Sequence, residues 1–184
     1  MPIFNSSRRY GAVTQSFHWA TVALVAVAWL LGIFGDDLPG KPAQAAGLLV
    51  HMGTGLLIVL LTVMRLSWRG IDPPLTETAS STGVAHWLHL ASRLTHLGLY
   101  GLLIAVPLLG IGVQFARGNS LPIFGLFQIV SPWVTDRAFA RTIKEIHEWL
   151  AHALVVIALL HAAAALLHHR VAGDRTLLRM LPGK

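Results

Sequence analysis

A chain of 184 residues in which 54% of the side chains are apolar and only 12% charged is too poor in charge for a soluble domain, which carries about 25%. Its net charge is +6, from 14 basic and 8 acidic residues. Cysteine is absent, which excludes disulfides, iron–sulfur ligation and the thioether attachment of a c-type haem.

Taken in chain order, Arg8-Arg9 precedes the first apolar run, Phe17–Phe34. That run is too long for the apolar core of a secretory signal and is followed by Gly-Asp-Asp rather than a small-residue cleavage site, so it reads as a retained span. A short loop broken by Pro39, Gly40 and Pro42 leads to the second run, Gly47–Leu66. GIDPPLTETASSTG, from Gly70 to Gly83, reads as a polar linker with a Pro-Pro stop. VAHWLHLASRL, from Val84 to Leu94, has helical periodicity and is either an interfacial helix or an extension of the third run, Leu94–Phe115. Pro107 predicts a kink there, and Gly110 and Gly112 a close approach of neighbours. In the long loop Ala116–Lys144, LPIFGLFQIV is expected to dip into the interface and DRAFARTIKE to be basic and helical. Ile146–Leu167 completes four runs, each close to the roughly 20 residues that cross hydrocarbon as a helix. The predicted fold is all-α: an integral membrane four-helix bundle, one domain over 1–184, with spans at about 14–34, 44–67, 94–115 and 143–169. Most of the tryptophans fall near span ends, as an interfacial belt requires.

With an inside N-terminus, Arg8, Arg9, Arg65, Arg69, Arg93, Arg170, Arg175, Arg179 and Lys184 lie inside, against Lys41, Arg117, Arg137, Arg141 and Lys144 outside. The positive-inside rule therefore predicts both termini in the cytoplasm. Membrane lipid is the expected surrounding, and no nucleic-acid partner is expected.

The fourth run carries five histidines, His147, His152, His161, His168 and His169. From His147 to His161 is about 40° short of four full turns, with about 21 Å of rise. The two share a face near opposite membrane surfaces, whereas His152 is about 140° round from His147. His18 opens the first span on the inside and His51 begins the second on the outside. Depth and face therefore pair His18 with His161 and His51 with His147. Two imidazoles at matched depth on facing helices are what six-coordinate haem iron requires. The bland alternative for each is a neutral imidazole bonded to a carbonyl, which four matched residues argue against jointly. A metal site without porphyrin needs three or four clustered donors, and these pairs stand about 20 Å apart by helix rise. Arg65, 14 residues past His51, lies on nearly the same face at the inner surface. It is placed either to meet the inner haem propionates or to snorkel as an anchor.

SFHWATVALV, the His51-Met-Gly-Thr-Gly start of the second span with MRLSWR at its end, LIAVPLLGIG, IHEWLAH, LLHAAAALLHH and TLLRMLPGK follow one another along the chain. Together they resemble the bacterial cytochrome b561 family, and within it the di-haem superoxide oxidase branch. The resemblance covers nearly the whole chain and is weakest at 70–92 and 116–143. It implies two haem b groups, with His18, His51, His147 and His161 as iron ligands. It also implies oxidation of superoxide at the periplasmic face of a bacterial inner membrane and reduction of ubiquinone on the inner side. The chain departs from the family pattern in its extra histidines His86, His89 and His152.

Within that expectation, Arg117, Arg137, Arg141 and Lys144 form a basic patch suited to drawing an anion toward the outer haem, or are ordinary solvated loop charge. His168 returns within about 20° to the face of His161. It is a candidate proton donor to quinone, or merely ends the span as an anchor. His86, His89, Arg93 and His96 make one polar stripe, lining an inner vestibule or lying on headgroups. The competing reading is an electron-transfer module between the quinone pool and a periplasmic redox protein. A non-redox bundle or transporter would be colourless.

Overall fold

The computed structural model describes residues 2–6, 9–73, 83–171 and 176–181. Its elements are α1 (Ala12–Phe34), a 3-10 turn at Gly35–Asp37, α2 (Gly40–Ile71), α3 (Gly83–Ala116), β1 (Leu121–Ile123), β2 (Phe127–Ile129), α4 (Arg137–Val171) and the short α5 (Thr176–Met180). Arg8, Arg175, Lys184 and positions 74–82 of the expected polar linker lie outside the described residues. Among the described residues, four helices are long and apolar enough to cross a membrane. Helices α2, α3 and α4 have 32, 34 and 35 residues, or about 48–52 Å at 1.5 Å per residue. That exceeds the roughly 30 Å of hydrocarbon, so they tilt or carry their ends into the headgroup layers. Residues 84–94 form the first third of α3, an extension of the third span rather than a separate interfacial helix. Pro107 sits inside α3, and the helix continues through it.

The all-α expectation needs one correction. Residues 121–129 form an antiparallel hairpin with Leu121 opposite Ile129 and Ile123 opposite Phe127. Phe124 and Gly125 turn it with φ of 51° and 74°, and the Leu126 N–H donates to the Ile123 carbonyl at 3.0 Å. Two successive positive φ values match the right-handed twist of the strands. The hairpin does not stand away from the bundle. Phe124 lies against Gly53 of α2, two residues from His51, beside an apolar groove of about 340 Å³ floored by Leu49, Val50 and Leu57.

The bundle is two helical hairpins laid together. α1 packs along α2 and α3 along α4, whereas α2 meets α3 over a smaller area and α1 barely touches α4. The seam between the hairpins is filled midway by buried Ile58, Leu103 and Leu154, with Leu24, Val25 and Ala28 packed against them. Leu154 is seven residues from both His147 and His161 on α4, so this apolar layer lies about 10 Å of helix rise from each. A second cluster, Val113, Ala116, Ala140 and Ile143, joins α3 to α4 near the β-hairpin.

The chain ends meet at the opposite end of the bundle. The Asn5 N–H donates to the Asp72 carboxylate at 3.0 Å, and Asn5 Oδ1 accepts from the Gly11 N–H at 2.9 Å. Buried Gln15 donates to the Arg179 carbonyl, Trp19 Nε1 to the Met180 carbonyl and Arg9 to the Leu181 carbonyl. The N-terminal segment, the C-terminal end of α2 and α5 therefore meet at one end of the bundle.

Candidate functional site

At the end of the bundle nearer the β-hairpin, His51 on α2 and His147 on α4 face each other with ring centres 6.2 Å apart and planes at 74°. Each ring is oriented by the same local device. His51 Nδ1 lies 2.8 Å from the Ala28 carbonyl of α1, and His147 Nδ1 lies 2.9 Å from the Val106 carbonyl of α3. A carbonyl only accepts, so both Nδ1 atoms carry hydrogen and both Nε2 lone pairs are free to bind a metal. Four residues beyond each accepting carbonyl stands a glycine, the helical neighbour one turn away. A Cβ on Gly32 would sit 3.3 Å from His51 Cε1, and one on Gly110 would sit 3.2 Å from His147 Cε1. The glycines make the space that the imidazoles use.

Such a pair fits a single metal ion gripped from two sides. Bonds of about 2 Å to each imidazole nitrogen put the ring centres roughly 6 Å apart. Among the described residues no three histidine, cysteine or acidic side chains converge on one point. The remaining donors must then come from the bound group, as four porphyrin nitrogens do. The donor set and the glycine-lined approach fit haem.

At the terminal end the arrangement is more crowded. His18 on α1 and His161 on α4 are electrostatic neighbours, and Arg65 and His96 share that neighbourhood. The His96 ring stands 5.2 Å from that of His161, at 75°, and its Nδ1 donates to the Ser92 carbonyl at 2.7 Å. His96 thus holds the same tautomer as the other pair. Arg65 lies over the ring of Tyr100 at 5.3 Å, with Arg69 near the same ring at 5.6 Å. Neither the His96–His161 contact nor Tyr100 was legible from spacing. The signals available for His96 were its place in the polar stripe with His86, His89 and Arg93 and its being an ionisable side chain in an apolar run. His86 and His89 lie on α3, but their side chains are outside the described residues.

The remaining candidates are spread out. His168 occupies the last turn of α4, half-buried, with His169 and Arg170. Arg137 opens α4, where Asp136 Oδ1 caps the helix by accepting from the Ala138 and Phe139 N–H groups, both at 3.0 Å. Lys144 is ion-paired with Glu148 one turn on. Between positions 136 and 148, Arg137, Arg141 and Lys144 are balanced by Asp136, Glu145 and Glu148. The expected basic patch is therefore locally neutral along α4, with Arg117 exposed at the end of α3. His152 takes another course. Its Nδ1 accepts from Trp29 Nε1 at 3.2 Å.

A family model described as prokaryotic cytochrome b561 matches residues 9–183. The chain is 33% identical over 184 residues to cytochrome b561 homolog 2 of Escherichia coli (strain K12), covering 98% of this chain and 95% of that protein. It is 33% identical over 183 residues to the probable superoxide oxidase CybB of Yersinia pestis, covering 96% and 98%. It is also 28% identical over 178 residues to cytochrome b562 of Cereibacter sphaeroides, covering 94% of each.

Proposed function

This chain belongs to the prokaryotic cytochrome b561 family, and on that premise we propose that it oxidises superoxide at the periplasmic face and reduces ubiquinone through two haem b groups. Membership itself makes it a b-haem electron-transfer protein, crossing the bacterial inner membrane several times. The observation that carries the haem part of this reading is the facing of His51 and His147 with both Nε2 atoms free. His18 and His161 form the corresponding pair at the other level. Haem b, when bound, supplies the reversible one-electron couple that no side chain here provides.

The chain's own groups do the rest. The Ala28 and Val106 carbonyls fix the two imidazole planes and raise the basicity of each Nε2. Arg65 would neutralise the propionates of the inner group. Ile58, Leu103 and Leu154 keep water out between the two levels. The terminal end is assigned to the cytoplasm by the positive-inside count, and there His168 would hand protons to a reduced quinone. The single-domain span assignments stand as part of the same proposal.

Arg117, exposed at the end of α3, favours a small anion such as superoxide at the β-hairpin end, and one relative is named a probable superoxide oxidase. Mixing purified protein with superoxide is expected to reduce the haem rapidly. Arg141→Glu and added salt should slow that step severalfold, because exposed charges steer only within a Debye length of about 8 Å at physiological ionic strength. An unreduced wild type would discard this substrate. The locally neutral start of α4 favours the second reading, in which a periplasmic redox protein docks there and exchanges electrons with the quinone pool. For His168→Ala, intact haem spectra with slowed quinone reduction are expected. Unchanged turnover would return His168 to the role of an anchor.

A further inference from the structure

Two consecutive residues of α1 touch both sides of the seam. The Ala28 carbonyl accepts from His51 on α2. The next residue, Trp29, donates its indole N–H to His152 on α4 at 3.2 Å, with the rings edge to face at 6.1 Å. His152 is five residues along α4 from His147. The contacts therefore close a circuit: His51, Ala28, Trp29, His152, the helix between, and His147, whose ring faces His51 again at 6.2 Å. An indole nitrogen only donates, so His152 Nδ1 is an acceptor and its proton sits on Nε2. That is the reverse of the tautomer held by His51 and His147, and it takes His152 out of competition for iron.

We propose that Trp29 and His152 form a positioning clasp. It holds α4 against α1 and so sets the separation and rotation of the His51–His147 pair. The proposal rests on the haem reading of that pair. The clasp lies where geometry is least fixed otherwise, since packing between α1 and α4 is sparse. The size of such a bond decides what it does. Side-chain hydrogen bonds between membrane helices average about 0.6 kcal/mol, roughly a threefold change in an equilibrium. Losing one would leave the bundle folded and α4 packed along α3, but would loosen the fit of α4 against α1, which a pair of ligands shared between the two hairpins would register directly.

The test uses the holoprotein and reads the two haem signals separately by low-temperature paramagnetic resonance and redox titration. Trp29→Phe keeps an aromatic ring but removes the donor, and His152→Leu keeps bulk but removes the acceptor. Both are expected to shift the potential and resonance signature of the His51–His147 haem, to raise its rate of loss about threefold, and to leave the His18–His161 haem unchanged. His152→Asn, whose side-chain carbonyl still accepts, should restore the wild-type signature. The double variant should be no worse than either single one. Equal disturbance of both haems, or none in either, would overturn the clasp. So would an effect of His152→Leu that Trp29→Phe does not share. A wild-type preparation without haem would instead overturn the haem reading itself.

Discussion

Replacing His51 or His147 by alanine is expected to remove roughly half of the bound haem, because in the proposed arrangement each pair of imidazoles would clamp one group. The remaining haem should keep its low-spin absorption bands. The loss should be close to complete at the mutated site rather than graded. The partner imidazole alone cannot fill both axial positions, and among the described residues no third histidine converges there. The nearest on α4, His152, has its Nδ1 engaged by Trp29. The haem-to-protein ratio and the visible spectrum measure this directly. Loss of the other haem would invert the assignment of depth. At the terminal level the outcome should be softer. His96 already stands 5.2 Å from His161 in a metal-ready tautomer, so His161→Ala leaves a substitute imidazole within reach, whereas His18→Ala does not leave one on α1.

The second large effect comes from residues that carry no functional group. Gly110→Val is expected to expel the haem at His147, or to turn it high-spin, without touching a ligand. Even the first carbon of a side chain there would stand 3.2 Å from His147 Cε1 and 3.5 Å from its Nδ1. Valine adds two branches beyond that, and the ring must leave the Val106 carbonyl. Overpacking of this kind costs about 1–3 kcal/mol, while exchanging glycine for valine in a helix returns only about 0.5 kcal/mol. The fold should therefore survive while the site fails. Gly32→Val acts in the same way on His51, with a closest approach of 3.3 Å. Gly101→Val supplies the control on the same helix as Gly110, since a Cβ there meets nothing within 4 Å. Measured side by side, haem content should fall for Gly110 and Gly32 and hold for Gly101. Equal loss in all three would show a general defect of folding rather than crowding of the imidazoles.

What could be read before any coordinates follows from the regularity of the α-helix. Fixed rise and rotation turn the spacing of His147 and His161 into a shared face, and the alternation of spans turns chain order into depth. The juxtaposition of His51 with His147 was legible for that reason. So was the close approach at Gly110. What stayed hidden depends on how helices rotate against one another. No spacing along α3 says that His96 meets His161, or that Tyr100 receives both Arg65 and Arg69. No spacing along α1 brings Trp29 to His152. The β-hairpin was hidden for another reason. Its strands have three residues each, too short for alternation to register, and its one signal was Phe-Gly at the turn. The neutral start of α4 was present in the sequence, since Lys144 and Glu148 are one helical turn apart, and it changes the weight given to anion steering.

The buried apolar layer of Ile58, Leu103 and Leu154 would act as an electrical insulator for protons. An electron tunnels through packed aliphatic carbon, but a proton needs a chain of donors and acceptors that these side chains do not offer. If electrons pass inward from the periplasm and the quinone takes its protons from the cytoplasm, every turnover displaces negative charge across the bilayer with no compensating ion. The reaction would then be electrogenic. It would work against the resting voltage at up to about 2.3 kcal/mol per electron for each 100 mV crossed, so an uncoupler should speed it in intact vesicles and leave it unchanged in detergent.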